Sequence, residues 1–185
     1  MAMNMHYKNV SVRQGSEQPR HDGWIQRLDR ARQQRDHLEM ARLLLSAARG
    51  AMVDSVREDD EESLEHAQWL LARTQRSVSV SEGDPEGLPV LADLLEAMAR
   101  LLGLWTLRDR PAAARLAMEQ VRDTAFDLAR RVERSPDLGL LCTMLLRAAD
   151  VLEQVGDASD AQALRSRAFH RLGSAINRVD IPLLA

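Results

Sequence analysis

Three arginines near the C-terminal end of the chain are the residues best able to contact an anionic partner. Arg167, Arg171 and Arg178 fall on one side of a predicted last helix, with no acidic residue between them on that stripe. Such a row of guanidinium groups could bind an acidic protein or the phosphates of RNA or DNA. No aromatic residues interleave with it, and no helix-turn-helix glycine pattern is recognisable. A nucleic-acid-associated regulator is therefore an alternative function, not the leading one.

The histidines and the single cysteine form no recognisable metal or nucleophile motif. The five histidines are dispersed, and none has a second histidine or a cysteine at metal-ligand spacing. The sequence also lacks a glycine-rich phosphate loop, a GxSxG elbow, an HExxH motif and a CxxC pair. Cys142 lies in an apolar run and is predicted to be a small core side chain. We therefore expect a non-enzymatic protein without a cofactor.

Two groups of acidic residues resemble an enzyme family. The motif Glu62-x-x-Glu65 is followed by a segment that carries Asp93 and Glu96, and together they resemble the all-helical nucleotide pyrophosphohydrolases of the MazG type. The resemblance implies four carboxylates from two neighbouring helices that hold magnesium, because a triphosphate needs charge neutralisation and an activated water. The chain departs from the pattern where Val90 takes the place of a glutamate. A magnesium-dependent MazG-like hydrolase is thus a second alternative, and solvated helix faces explain the same acids.

The composition predicts that helices position all of these residues. The chain has 185 residues, of which 28 are Leu and 25 are Ala, while aromatic residues make up only 3%. This balance favours helices over a β-sandwich or barrel. The length suits a single domain with a substantial core, and the net charge of -3 gives no general attraction to nucleic acid.

The periodicity of the apolar residues predicts an all-α fold of about six antiparallel helices, either a bundle or stacked αα-hairpins. Residues 1–21 are predicted to be a mobile N-terminal tail, and 22–182 a single α-helical domain with a loop or hinge at 78–87. The expected helices run from an Asp22 cap to about Val56, from an Asp59–Glu62 capping box to Arg76, over 88–107, from Pro111 to Arg134, from a Ser135 cap to Val155, and from an Asp157 cap to Pro182.

The segment 88–107 is the most apolar part of the chain. Asp93, Glu96 and Arg100 interrupt it at spacings of i, i+3 and i+7, so they share one narrow stripe of a helix. Such charges are costly in a bilayer, which argues against a membrane span. We expect a buried helix whose remaining circumference is covered, with a Glu96–Arg100 ion pair on its one polar stripe.

The segment Leu145–Phe169 resembles a tetratricopeptide-type hairpin. It has Ala149 and Leu152 on the first helix, Gly156-Asp157 at the turn, and small residues at Ala161 and Ala168. Alanines at these positions let two helices approach closely. The segment lacks the early Trp and final Pro of the family and does not recur 34 residues upstream. The resemblance implies a concave helical surface that binds another protein.

Two further features bear on origin and compartment. The first thirty residues contain no apolar run of signal-peptide length, which predicts a cytoplasmic protein. Of the 25 basic residues, 24 are Arg and only Lys8 is Lys, a usage typical of GC-rich bacterial genomes.

The leading hypothesis is a bacterial helical protein that binds another protein as an adaptor, chaperone or regulator, through a helical groove or a helix-pairing surface. Trp24 and Leu28 begin a long, narrow apolar stripe on a helix whose charged front end is expected to project. Such a stripe could pair across a two-fold axis, so a homodimer is also predicted.

Overall fold

A computed structural model describes the backbone of residues 18–176 and the side chains of residues 23–174. The rest of the predicted N-terminal tail, residues 1–17, lies outside this range, as do Arg178 and Pro182. The described part of the chain is all-α, without strands, and no helix in it is long and apolar enough to cross a membrane. Its helices are α1 (Gln18–Gln34), α2 (His37–Glu58), α3 (Glu61–Val80), α4 (Gly87–Leu107), α5 (Pro111–Val132), α6 (Leu138–Gln154) and α7 (Ala158–Ile176).

The predicted long N-terminal helix is two helices, so the described residues contain seven helices where about six were expected. The break falls at Arg35, whose backbone adopts a left-handed conformation with φ 55°. Asp36 then caps α2, because its Oδ1 accepts a 2.9 Å hydrogen bond from the amide of Glu39. Helix α1 begins at Gln18, so Asp22 lies inside the helix and is not its N-cap. Gly50 lies inside α2 and does not stop it.

The α2–α3 turn differs from the predicted capping box by one residue. Asp59 ends α2 with φ 51°, and Asp60 is the N-cap of α3, where its carboxylate accepts hydrogen bonds from the amides of Glu62 and Ser63. Helix α3 continues through Val80, beyond the predicted end near Arg76. The alternating valines and serines after residue 77 are helical there because Val78 packs into the core.

The C-terminal half follows the prediction more closely. Pro111 is the first residue of α5, where its missing N–H costs no helical hydrogen bond. Asp137, not Ser135, caps α6 through a 3.0 Å hydrogen bond from the amide of Leu140. Gly156 has a φ of 89°, which suits glycine, and it ends the turn before Asp157 starts α7. The thiol of Cys142 is buried, as predicted.

The helices pack as successive antiparallel neighbours. The pairs α2–α3, α4–α5 and α6–α7 are the most closely packed, and α2, α4 and α6 also contact one another in that order. Helix α4 is central, since it touches α2, α3, α5 and α6. The core is mostly leucine and alanine, and its fully buried large side chains include Leu64, Leu94, Leu128, Leu145 and Leu164.

Candidate functional site

One side of helix α4 carries an open stripe. Its residues are Asp93, Glu96, Arg100, Gly103 and Leu107, spaced i, i+3, i+7, i+10 and i+14. Most of the remaining circumference of the helix is buried, as the prediction for 88–107 required. The stripe changes character along its length, from acidic at its start to apolar at its end.

An apolar groove lies between the C-terminal halves of α2 and α4. Its volume is about 550 Å³, and its lining is mainly Met52, Val53, Val56, Gly103, Leu104 and Leu107. Val53 is 57% exposed, Val56 62% and Leu107 84%. Val56, where the first predicted helix was expected to end, lies on the surface inside α2. Branched apolar side chains that gather around one depression mark a surface suited to covering by another molecule.

Gly103 is part of the groove lining, on the α4 side between Arg100 and Leu107. A Cβ atom built on Gly103 would have no heavy atom within 4 Å, so the space above this residue is open. Glycine in a helix interior is unfavourable by roughly 1 kcal/mol relative to alanine. No close approach of another backbone or side chain within the described chain explains its presence here.

Three arginines line the groove. Arg49 has a guanidinium nitrogen 4.0 Å from Oδ2 of Asp93 and donates a 3.3 Å hydrogen bond to the backbone oxygen of the same residue. Arg57 on α2 and Arg100 on α4 are exposed and form no ion pair with any residue that the structure describes. The groove therefore combines an apolar floor with a positive rim, on which Arg57 and Arg100 have no described ion-pair partner.

The acidic end of the α4 stripe is held by α6. Nε of Arg147 donates a 2.7 Å hydrogen bond to Oε1 of Glu96, and Nη2 donates a 2.6 Å hydrogen bond to Oδ1 of Asp93. The predicted Glu96–Arg100 ion pair is therefore wrong, because the carboxylate of Glu96 pairs with Arg147 of α6 instead. The hydrogen bond from Arg147 holds the pKa of Glu96 below its usual range.

The four acids that resemble the MazG type are not gathered into a metal centre. Asp93 and Glu96 contact Arg147, whereas Glu62 and Glu65 are exposed on α3. Within the described residues, no group of three or more His, Cys, Asp and Glu side chains could hold a metal ion.

The predicted pairing stripe of Trp24 and Leu28 lies against the protein's own α2. The indole N–H of Trp24 donates a 3.2 Å hydrogen bond to the backbone oxygen of Leu43, and Leu28 packs against the core. A 2.6 Å ion pair between Arg27 and Glu39 supports the same antiparallel contact. Helix α1 thus folds back on α2 and does not project as expected.

The predicted arginine stripe on α7 is only partly described. Arg167 has Nη1 3.5 Å from Oε1 of Glu133, an acid contributed by the end of α5. Arg171 is exposed and has no described ion-pair partner, and Arg178 lies outside the described residues. The stripe therefore has less free positive charge than the sequence of α7 alone indicates.

A second exposed cluster lies on α3. Trp69 is 48% exposed. The rings of His66 and Trp69 stack with centroids 5.8 Å apart, and the guanidinium of Arg73 lies 4.8 Å from the Trp69 centroid. These neighbours one turn away on either side limit the use of the indole as a stacking platform for a ligand ring.

Comparison of the chain with models of protein families, with curated proteins and with solved structures finds no match. The α2–α4 groove is therefore the feature of the fold that points to a function. Sequence reasoning missed Val53, Arg57 and Gly103. One signal was present, because the charged stripe of α4 continues at helical spacing to Gly103, a glycine that ends no helix.

Proposed function

We propose that this protein acts by binding another protein, as an adaptor, chaperone or regulator, and that the α2–α4 groove accepts an amphipathic helix of that partner. The supporting observation is the exposure of Val53, Val56 and Leu107 around the open space over Gly103. These side chains lose contact with water when an apolar helix face covers them, which stabilises the complex by about 25 cal/mol per Å² of buried apolar surface before the costs of association.

The dimensions of the groove favour a helix as the bound element. Its α2 wall runs from Arg49 to Arg57, a rise of about 12 Å at 1.5 Å per residue. This length matches slightly more than two turns of a partner helix, which would present apolar residues at i, i+3 or i+4, and i+7. A β-strand added to a sheet edge is not an option for the described part of the chain, which contains no strand.

The stacked-hairpin form of the fold belongs to the same proposal. Helices α2, α4 and α6 are the first helices of three consecutive hairpins and contact one another in order. The resemblance of Leu145–Phe169 to a tetratricopeptide-type hairpin implies that this chain has a binding surface on a concave helical face. The groove on α2 and α4 would then be part of that surface. The proposal also includes that the protein needs no cofactor and acts in the cytoplasm.

Capture experiments with matched surface variants test the proposal. The full-length protein serves as bait in a lysate, with Val56→Asp as the groove variant and Val80→Asp as the control, since Val80 is 65% exposed at the end of α3. Circular dichroism first establishes that both variants are folded. We expect at least one lysate protein to be captured by wild type and by Val80→Asp but not by Val56→Asp. An identical set of captured proteins for all three baits would contradict the proposal.

The predicted homodimer stays part of the proposal, and the groove is a second candidate surface for it beside the stripe that begins with Trp24 and Leu28. Light scattering at micromolar concentration distinguishes a 20.8 kDa monomer from a dimer. A dimer that dissociates on Val56→Asp but not on Val80→Asp would show that the occupant of the groove is a second copy of this chain and not a different protein.

A further inference from the structure

We infer that the α2–α4 groove selects an acidic amphipathic helix: one that places aspartate or glutamate beside its apolar stripe and inserts one large apolar side chain over Gly103. The inference rests on the proposed function and adds the chemistry of the partner. It is carried by the positions of Arg57, Arg100 and Gly103 around one apolar floor.

The charge preference follows from the arginines. Arg57 comes from the α2 wall and Arg100 from the α4 wall, so an occupant of the groove lies next to both. The acid closest to Arg100 along the α4 stripe is Glu96, and Arg147 already binds that carboxylate. Neither Arg57 nor Arg100 forms an ion pair with a described residue, so both guanidinium groups are available to a partner, and each can donate two parallel hydrogen bonds to one carboxylate. A basic helix would be repelled.

The steric preference follows from Gly103. The open space above this residue lies between Arg100 and Leu107, in the middle of the groove. A leucine or phenylalanine of a partner helix can enter it, and any side chain larger than hydrogen at position 103 would occupy the same space. Gly103 therefore acts as the receptor for an anchor residue, the kind of buried contact that dominates binding at helix-in-groove interfaces.

Nucleic acid fits this groove less well than an acidic helix does. Phosphates could contact Arg57 and Arg100, but the floor consists of aliphatic side chains and a glycine. Single-stranded nucleic acids depend on aromatic side chains for stacking, and the groove lining contains none. Burial of Val53, Val56 and Leu107 would contribute nothing to binding a phosphate backbone.

Designed helical peptides provide the test. Three fluorescein-labelled, side-chain-stapled probes of about 14 residues share one stripe of leucines at i, i+3 or i+4, and i+7, and differ only in flanking residues, which are Glu, Gln or Lys. Fluorescence anisotropy with the full-length protein gives their dissociation constants. We expect the Glu probe to bind at least about ten-fold more tightly than the Lys probe, and this advantage to shrink as salt rises.

Two groove variants and two matched controls assign the site. Arg57→Glu with Arg100→Glu should reverse the order of the Glu and Lys probes, whereas Arg30→Glu with Arg76→Glu, the same charge change at exposed positions elsewhere, should not. Gly103→Leu should weaken binding of the Glu probe at least about ten-fold. Gly50→Leu is its control, because Gly50 is also helical, exposed and open above its Cβ position, and it lies outside the groove.

The outcomes separate this inference from the proposed function. Two outcomes overturn the acidic-helix inference and leave the proposed function standing. One is equal binding of the Glu, Gln and Lys probes. The other is that the Glu probe does not bind although Val56→Asp still fails to capture a protein that wild type captures. If Val56→Asp captures the same proteins as wild type and the groove variants bind the probes as wild type does, the inference and the proposed function are both overturned. Tight binding of a 20-nucleotide DNA probe that Gly103→Leu does not weaken would also contradict the inference, because the arginines would then act without the apolar floor.

Discussion

Arg147 and Glu96 join α6 to α4 through a charge-assisted hydrogen bond of 2.7 Å between Nε and Oε1. Nη2 of the same guanidinium reaches Asp93 at 2.6 Å, and Asp93 in turn lies 4.0 Å from Arg49 of α2. Two acids of one helix thus link the three helices that contact one another in order. The arrangement fixes the polar half of the α4 stripe and leaves the apolar half beside Gly103 uncovered.

The Arg147–Glu96 hydrogen bond predicts a specific dependence of stability on pH. Because the pKa of Glu96 is lower in the folded protein than in the unfolded chain, this stabilisation is present above about pH 4.3, the unfolded value, and is lost as pH falls through the folded pKa. The Glu96 side chain is 34% exposed, so solvent screening limits the effect. We expect Glu96→Gln to lower the free energy of unfolding by about 0.5 kcal/mol at pH 7 and by less near pH 3.

Urea denaturation of wild type and Glu96→Gln at both pH values measures this difference. Glu65→Gln is the control, since Glu65 is an exposed acid on α3 with no described ion pair. A Glu96→Gln deficit that is larger at pH 3 than at pH 7 would show that the sign of the linkage is wrong.

Leu94 should be among the positions where truncation is most costly. Its side chain is fully buried in the centre of α4, where Leu94→Ala would remove three carbon atoms and leave a cavity. We expect a loss of about 2–5 kcal/mol in the free energy of unfolding, measured by urea denaturation. Leu107→Ala on the same helix should change it by no more than about 0.5 kcal/mol, because Leu107 is 84% exposed. Similar losses for the two variants would contradict the described burial of α4.

Gly103→Ala should stabilise the protein. Gly103 is helical and exposed, and a Cβ atom there meets nothing within 4 Å, so alanine gains about 0.5–1 kcal/mol of helix propensity without a clash. Gly156→Ala should destabilise it, because the φ of 89° at Gly156 is unfavourable for a residue with a Cβ atom. Thermal denaturation of the two variants should show shifts of opposite sign. A lower melting temperature for Gly103→Ala would mean that this glycine has a structural role in α4.

Trp24 is predicted to hold α1 on α2. Trp24→Phe keeps an aromatic ring but removes the N–H that donates to the backbone oxygen of Leu43, a hydrogen bond with a typical net value of about 0.5–1.5 kcal/mol. We expect the amides of α1 to exchange with deuterium roughly three to ten times faster, while those of α4 are unchanged. Trp69→Phe provides the control, since the Trp69 indole donates no described hydrogen bond. Faster exchange throughout the chain would instead assign Trp24 to the global core.

The elements that the sequence predicted well are those with strong local signals. The run from Leu88 to Leu107 is apolar on nearly all sides, so a buried helix follows from periodicity alone. Pro111 and Gly156 restrict the backbone wherever they stand, and both mark helix boundaries as expected. The buried environment of Cys142 likewise followed from its apolar neighbours.

The missed elements depended on local strain or on distant contacts. The break between α1 and α2 occurs at Arg35, a residue that rarely adopts a positive φ and gives no warning in the sequence. Residues 78–80 alternate like a strand, but the packing of Val78 into the core outweighs that preference. The groove required the relative positions of α2 and α4, and the Arg147–Glu96 contact joins residues 51 positions apart. Neither relationship has a local sequence pattern.

The central position of α4 determines which wall of the groove can open by local motion. Helix α4 is clamped by α2, α3, α5 and α6, whereas α2 has α1, α3 and α4 as its described neighbours and lies toward one end of the row. Segments with fewer packed neighbours open at a lower free energy, so we expect the α2 wall of the groove to open before the α4 wall does. A bound helix would then restrict the motion of α2, and its stabilising effect would be largest in the hairpin of α2 and α3.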